Sequence, residues 1–369
     1  MNRLFRWDQM GLFLLALAAG ILPFAVPEVC AAALREGLAL CSGPLLLSLF
    51  PFLVVSRLLV QCPESDLLAL PFRLAAWGIG IRTPCAARVL CIGFLGGFAP
   101  AASAAAQAVR TGQLTAEEAD ALLPACICSG PSFVVLTVGQ SLLGSAELGV
   151  LLFASQITAN YLTAALLNRF AGVRSVKPGS AAQASPAPPR LDEILADAAI
   201  TYCKLCGFIL FFRMLAAGAG ALLPTGAGTL CAILLEVCSG CDLASRTGRW
   251  GSLLCCAALS VQGLSVLLQV RTICPPEMTL RPLYRARMLH LPLSLALFYL
   301  LLPGGEADVF STLPARVLLM RRVPPDCALL VFAVCCMAAC TLRSGIRQVE
   351  QKQMARNAGG CCINSKTLL

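Results

Sequence analysis

The sequence predicts an all-α polytopic membrane protein, with about eight transmembrane helices and two re-entrant hairpins arranged in two inverted repeats. Three observations predict it. The hydrophobic fraction is 58% and the charged fraction 13%, against roughly 45–50% and about 25% for a soluble domain. The apolar residues come in runs near the ~20 residues that a helix needs to cross a bilayer. The same fragments also occur twice in the same order, about 130 to 160 residues apart. Phe52 and Arg57 in PFLVVSRLLV recur as Phe208 and Arg213 in GFILFFRMLA, Gly97 in GFLGGFAPAA as Gly240 in EVCSGCDLAS, and Gly130 and Ser132 in SGPSFVVL as Gly263 and Ser265 in QGLSVLLQ. In a chain of membrane-length segments, such a duplication points to the two-repeat architecture of secondary transporters, with the substrate site between the repeats.

The apolar runs give eight crossings: 10–26, 41–60, 121–142, 146–168, 198–222, 250–270, 288–303 and 326–342. The first follows Arg3 and Arg6 as a signal peptide would. Its length, with Pro23, Pro27 and Glu28 at the cleavage position, reads as a retained helix. Two further stretches are broken in the middle: Ala87–Arg110 by Gly93, Gly96, Gly97 and Pro100, and Thr229–Ser245 by Ser239, Gly240 and Asp242. Irregular backbone at membrane depth is tolerated where protein buries it or water lines it, so both read as re-entrant hairpins. Thr115–Glu118 (TAEE) reads as a capping box opening a helix at 116. The resulting organisation is 1–40, an N-terminal helix and connection; 41–170, the first repeat; 171–193, a Pro/Ala/Ser linker; 194–287, the second repeat; 288–343, C-terminal crossings; and 344–369, a basic tail.

Loop charge orients these crossings. Arg3 and Arg6, the segment 171–190 with Arg174, Lys177 and Arg190, the 271–287 loop with Arg271, Arg281, Arg285 and Arg287, and the tail with Arg343, Arg347, Lys352, Arg356 and Lys366 all fall on one side if the hairpins do not cross. That side is the cytoplasm by the positive-inside rule, with both termini there. Arg246, Arg249, Arg316, Arg321 and Arg322 fall on the other side and break the rule. The same count gives the two repeats opposite orientations. The net charge of +9 is thus a membrane-orientation signal and calls for no nucleic acid.

Chemistry-bearing residues are few. Arg213 follows eight uncharged residues, and no charge comes after it until Glu236. A charge near the midplane costs at least about 2.5–3.5 kcal/mol on insertion scales, which marks Arg213 and its repeat mate Arg57 as substrate or gating candidates. The competing reading of Arg213 is an ion pair with Glu236 or Asp242. Those two carboxylates flank the second hairpin's tip, where they would bind a coupling cation or proton, or set a helix-terminus charge. Ser129-Gly130-Pro131-Ser132 and Gln262-Gly263-Leu264-Ser265 interrupt two spans. They leave half-helix N-termini that favour an anion, or kinks that aid packing. The hairpin positions Gly96, Gly97, Ser239 and Gly240 are the gating candidates. The 21 cysteines include the CxxC pairs Cys203/Cys206 and Cys238/Cys241. With His290 the only histidine, they read as small helix residues, and neither a metal site nor a cofactor is called for. No P-loop, HExxH or GxSxG is present, and the chain is not read as an enzyme.

The blocks GPLLLSLFPFLVVSRLL, GFLGGFAPAASAA, CSGPSFVVLTVG, LLEVCSGCDLAS and VQGLSVLLQV, in this order over about residues 10–345, resemble the YlbJ family of sporulation integral membrane proteins. These carry the nucleoside-recognition (Gate) domain, similar to the core of nucleoside transporters. The resemblance implies a membrane of the sporulating cell, such as the outer forespore membrane, and movement of a small anion, dipicolinate. It also implies the bilayer as partner, with a homo-oligomer or other sporulation membrane proteins beside it. Several family positions differ: Gly96 stands for Ser, Ala99 for Pro, Ala101 for Gly, Ile127 and Cys128 for Asn, and Ser239 for Asn, whereas Glu236 and Gly240 are kept. Two other readings of the sequence are a non-transporting scaffold for sporulation proteins and a nucleoside transporter.

Overall fold

The computed structural model describes residues 2–171 and 191–302, and all the regular structure in them is helical. Three helices open the chain: α1 (Asn2–Ala25), α2 (Pro27–Ser42) and α3 (Pro44–Gln61). Pro27 and Pro44 start α2 and α3, at the position where the missing proline N–H costs nothing. A short helix α4 (Leu70–Gly78) leads to the hairpin α5 (Pro84–Gly96) and α6 (Phe98–Arg110). An interrupted helix follows, with α7 (Ala116–Cys126) ahead of the break and a π-helical segment, Ser132–Leu142, beyond it; α8 (Ala146–Ala171) is continuous. After residue 190 comes α9 (Leu191–Leu222), then the hairpin α10 (Thr225–Leu235) and α11 (Val237–Ser245). A second interrupted helix, α12 (Gly251–Val261) and α13 (Gly263–Ile273), precedes the final α14 (Arg281–Leu301). The order of long helix, hairpin, interrupted helix, long helix therefore occurs twice.

Four helical stretches are long and apolar enough to cross a bilayer: Pro27–Leu47, Ala146–Ala171, Leu191–Leu222 and Gly248–Ile273. The last three agree with the expected crossings. The expected crossing at 10–26 ends against a helix break at Val26, and the qualifying stretch near the N-terminus is the following one. The expected 121–142 span is two half-helices, because Pro131 cannot donate to the carbonyl four residues back. The expected 288–303 span begins seven residues early, at Arg281. The linker, the 326–342 crossing and the basic tail lie outside the described residues.

The outer surface is apolar, and polar side chains are buried within a mainly apolar core. Phe13, Phe24, Leu74, Trp77, Phe170, Leu234, Tyr299 and Leu300 are exposed, while Gln156, Asn160, Gln262, Gln269, Arg287 and His290 are buried. Small residues let the elements approach closely. A Cβ on Gly139, in the π-helical segment, would lie 2.4 Å from the Cα of Gly149 on α8. The predicted capping box is present, with Thr115 Oγ1 accepting from Glu118 N at 3.1 Å and Glu118 Oε2 accepting from Thr115 N at 3.2 Å. It opens α7 alone, not a helix running to 142.

Side-chain contacts fix which element ends lie together. Thr83 Oγ1 meets Glu118 Oε1 at 2.6 Å, Arg110 Nη2 donates to Ile273 O at 3.4 Å, and Asp120 accepts from Thr279 N at 2.8 Å and Leu280 N at 3.1 Å. Arg57, near the end of α3, pairs with Asp197 near the start of α9. The start of α5, the ends of α3, α6 and α13, and the starts of α7, α9 and α14 thus share one end of the molecule. With 32 residues, α9 is about 48 Å long, and it delivers the second hairpin to the opposite end.

Candidate functional site

A cavity of about 290 Å³ lies between α3 and α6 on one side and α9 and α13 on the other. Three cations line it, Arg57, Arg110 and Lys204, together with one carboxylate, Asp197. Each comes from the end of the molecule just described. Arg57 is 7% exposed, so the apolar run that carries it sinks its guanidinium into the protein. One face of that guanidinium pairs with Asp197, and Nη2 reaches Thr201 Oγ1 at 3.5 Å, while Nε has no acceptor. Asp197 itself is largely solvated, with its side chain 59% exposed. The cavity wall also holds two buried acceptor atoms without partners, Ser103 Oγ on α6 and Gln269 Oε1 on α13. Gln269 Nε2 donates to Ser265 Oγ at 3.0 Å, one turn deeper along α13. Buried polar groups are ordinarily satisfied, so these atoms point to a site that takes a polar ligand or water.

Arg57 is thus the sequence candidate that the structure puts in a cavity, and Arg213 is not its neighbour there. On α9, Arg213 lies 16 residues beyond Asp197, or about 24 Å along the axis. Its Nη2 pairs with Glu36 Oε2 on α2 at 2.7 Å. Arg57 and Arg213 do not share a site, and neither Glu236 nor Asp242 is the ion-pair partner of Arg213. Glu36 was invisible as a partner because it lies 177 residues away, outside both expected repeats. Lys204 is exposed on α9 and lines the cavity.

The two helix breaks do meet. Gln262 Nε2, in the second break, donates to Ile127 O at the first break at 3.3 Å. Gln262 is 1% exposed and holds a left-handed backbone, φ 61°, a conformation rare for a residue with a Cβ. Each break also receives the tip of its own hairpin. A Cβ on Gly97, where φ is 79°, would lie 2.7 Å from Gly130 N, and one on Gly263 would lie 2.8 Å from Glu236 N. Glycine is required at both for close backbone approach. Ser129 is buried and Ser132 half-buried at the first break, and Ser265 is buried just after the second.

These contacts correct the reading of the second hairpin. Its turn is at Glu236, not at Ser239, Gly240 and Asp242, which all belong to the continuous helix α11. By its contact Gly97 corresponds to Glu236, so the sequence match of Gly97 with Gly240 is displaced by one turn. Glu236 is 2% exposed and caps α11: its carboxylate accepts from Cys238 N at 2.8 Å, Ser239 N at 2.7 Å and Ser239 Oγ at 2.8 Å. A carboxylate at a helix N-terminus satisfies orphan amides and the dipole together, which favours the helix-terminus role over cation binding. Asp242 does not flank the tip; both its oxygens accept from Nη2 of Arg246, one turn on and near the outer end of α11. Gly240 lets the hairpin arms touch, since a Cβ there would meet Ile233 Cα at 2.9 Å. Gly96 packs in the same way against Pro100 and Phe52.

Two buried arginines escaped the sequence reading. Arg88, on α5, pairs with Asp66 at 3.0 Å and donates to Val60 O at 2.7 Å, capping the end of α3. Arg287 had been assigned to a cytoplasmic loop. It is instead inside α14, 8% exposed, and donates to Ile127 O and Ser260 O. His290, one turn on, is buried with Nε2 3.2 Å from Gln156 O. The signal was available: α14 starts at Arg281-Pro282, a helix-opening pair, so Arg287 and His290 fall on one helix face. Among the described residues no three His, Cys, Asp or Glu side chains cluster as a metal site. Compared with models of protein families, with curated proteins and with solved structures, the chain matches none of them.

Proposed function

We propose that this chain is a multi-pass membrane transporter or facilitator of a small anion, built from two inverted repeats, with the cavity between α3, α6, α9 and α13 as its binding vestibule. The observation that carries the reading is the cavity's charge: three cations against one carboxylate leave two positive charges uncompensated. Its volume is at the lower end of the ~300–1,000 Å³ typical of small-ligand sites. Arginine binds carboxylates bidentately, and Arg57 has an unpartnered Nε directed within the protein. Dipicolinate, with two carboxylates, is the substrate that the resemblance to the YlbJ family implies, and a membrane of the sporulating cell is the implied location.

The repeated element order supports the inverted repeats. So does the placement of the hairpins: the open end of α5 and α6 is near the start of α9, and that of α10 and α11 follows the end of α9. Positive-inside charge then puts the cavity mouth on the cytoplasmic side, with both termini. The hairpin tips against the two breaks are the barrier between the vestibule and the far side. Because Gln262 and Arg287 join the breaks of the two halves, a motion of one repeat against the other must carry or break those bonds.

The test is uptake of labelled dipicolinate into liposomes holding the purified chain, with unlabelled nucleosides and monocarboxylates as competitors. The expected result is uptake that unlabelled dipicolinate inhibits and nucleosides do not. Uptake inhibited by nucleosides, or none above protein-free liposomes, would overturn the reading.

A further inference from the structure

The centre of the molecule holds a cation that no carboxylate answers among the described residues. The Arg287 guanidinium donates to two backbone carbonyls instead, Nη2 to Ile127 O and Nη1 to Ser260 O at 3.3 Å. Both carbonyls close interrupted helices. Ile127 is the C-cap of α7, and the residue four places on, Pro131, has no N–H to give it. Ser260 is the residue before the last of α12, among the carbonyls that a helix end leaves unpaired. Each helix C-terminus carries roughly half a negative charge, so two such ends aimed at one point call for about one positive charge.

In secondary transporters, unwound carbonyls and half-helix C-termini at the repeat interface are where Na⁺ or H⁺ is held. We infer that Arg287 is the resident cation of that position in this chain: its tethered guanidinium occupies the place of a coupling metal cation, so the flux through the cavity is not driven by Na⁺ or K⁺. The two carbonyls suit a cation, and the surroundings are polar. Besides the two carbonyls, Gln262 and Asn160 both donate their amide nitrogens to Ile127 O at 3.3 Å. Their amide oxygens, Gln262 Oε1 and Asn160 Oδ1, are buried without a partner. Removing the guanidinium leaves the two carbonyls without a donated charge, beside two amides whose oxygens are also unpartnered.

The flux part of this inference rests on the transport reading; the cation part does not. The experiment therefore has two arms on the purified full-length chain. In the first, melting temperature in detergent is measured at constant ionic strength in sodium, potassium or choline chloride, for the wild type, Arg287→Ala and Arg287→Lys. The wild type is expected to melt at the same temperature in all three salts. Arg287→Ala is expected to melt several degrees lower in choline and to recover part of the loss in Na⁺ or K⁺, and Arg287→Lys to stay near the wild type. A wild type stabilised by Na⁺ over choline, or an Arg287→Ala variant that melts like the wild type in choline, would overturn the inference. If Arg287→Ala gives no folded protein, the comparison passes to Arg287→Lys and Arg287→Met. Folded Lys without folded Met supports the resident cation, and equal recovery of the two overturns it. In the second arm, dipicolinate uptake into liposomes is measured with and without an inward Na⁺ or K⁺ gradient. Equal rates are expected, and acceleration by either gradient overturns the inference. Absence of uptake under every condition rejects the transport reading and leaves the melting arm to decide on Arg287.

Discussion

Glu236 and Asp242 separate two roles that a carboxylate can have on one helix. Glu236 is buried and holds two amides and a hydroxyl at the start of α11, whereas Asp242 holds only a surface arginine. Glu236→Ala should cost about 1–2 kcal/mol, as loss of an N-cap does. Asp242→Asn should change stability by no more than about 0.5 kcal/mol, as for an exposed i,i+4 pair. Thermal melting in detergent measures both, and equal effects would contradict the assignment. The glycines divide in the same manner. Gly97 and Gly112 both have positive φ, but only Gly97 has backbone within reach of an added Cβ. Gly112→Ala should cost about 1 kcal/mol for its conformation alone, and Gly97→Ala about 3 kcal/mol or more because Gly130 must also move. At this scale the sequence was legible where a residue's own backbone need was at stake, as at Gly97 and Gly263. For Arg287 the only local signal is the helix-opening pair Arg281-Pro282, six residues earlier, and without it a charge among Arg281, Arg285 and Arg287 reads as loop charge.

The hairpins and interrupted helices are built from short elements that gain stability by contact rather than length, since isolated helices of 9–13 residues are marginal in water. Three of their four breaks follow different physical devices. Gly97 turns with a positive φ, Pro131 removes a donor, and Gln262 takes a left-handed conformation ahead of Gly263. The first two are written in residue types that disrupt helices, so the first hairpin and the first break were expected near where they are. In the second hairpin the small and polar run Ser239-Gly240-Cys241-Asp242 imitates a turn. The chain turns earlier, at Glu236, because a carboxylate can end one helix and cap the next, and Gly240 serves packing against Ile233. An element-level prediction follows from that packing. Gly240→Val should lower the melting temperature well beyond Gly226→Val, since nothing stands within 4 Å of a Cβ at Gly226. Similar losses at the two sites would mean that the arms are not in contact.

For the whole molecule, the membrane class was legible from composition, and four helical stretches meet the length and apolarity that a crossing needs. The duplicated fragments also located the elements that meet at the centre. What local sequence could not supply is which charges pair across the fold. Arg57 finds Asp197 140 residues away and Arg213 finds Glu36 177 residues away, so two arginines matched by repeat position have different surroundings. The tail from Ser344 to Leu369 is basic and lies outside the described residues. Its deletion should leave uptake by reconstituted protein unchanged, whereas a scaffold role would make it indispensable for recruiting other membrane proteins. The central claim is that the cationic cavity between the two halves binds the transported anion. The most direct measurement is the initial rate of labelled dipicolinate uptake, as a function of concentration, by the wild type, Arg57→Gln and Arg213→Gln in liposomes at matched protein incorporation. The account predicts a rise in KM of about tenfold or more for Arg57→Gln, the scale of one lost charge-assisted hydrogen bond, with KM for Arg213→Gln near the wild-type value. An Arg57→Gln variant that transports with wild-type KM and rate would contradict it.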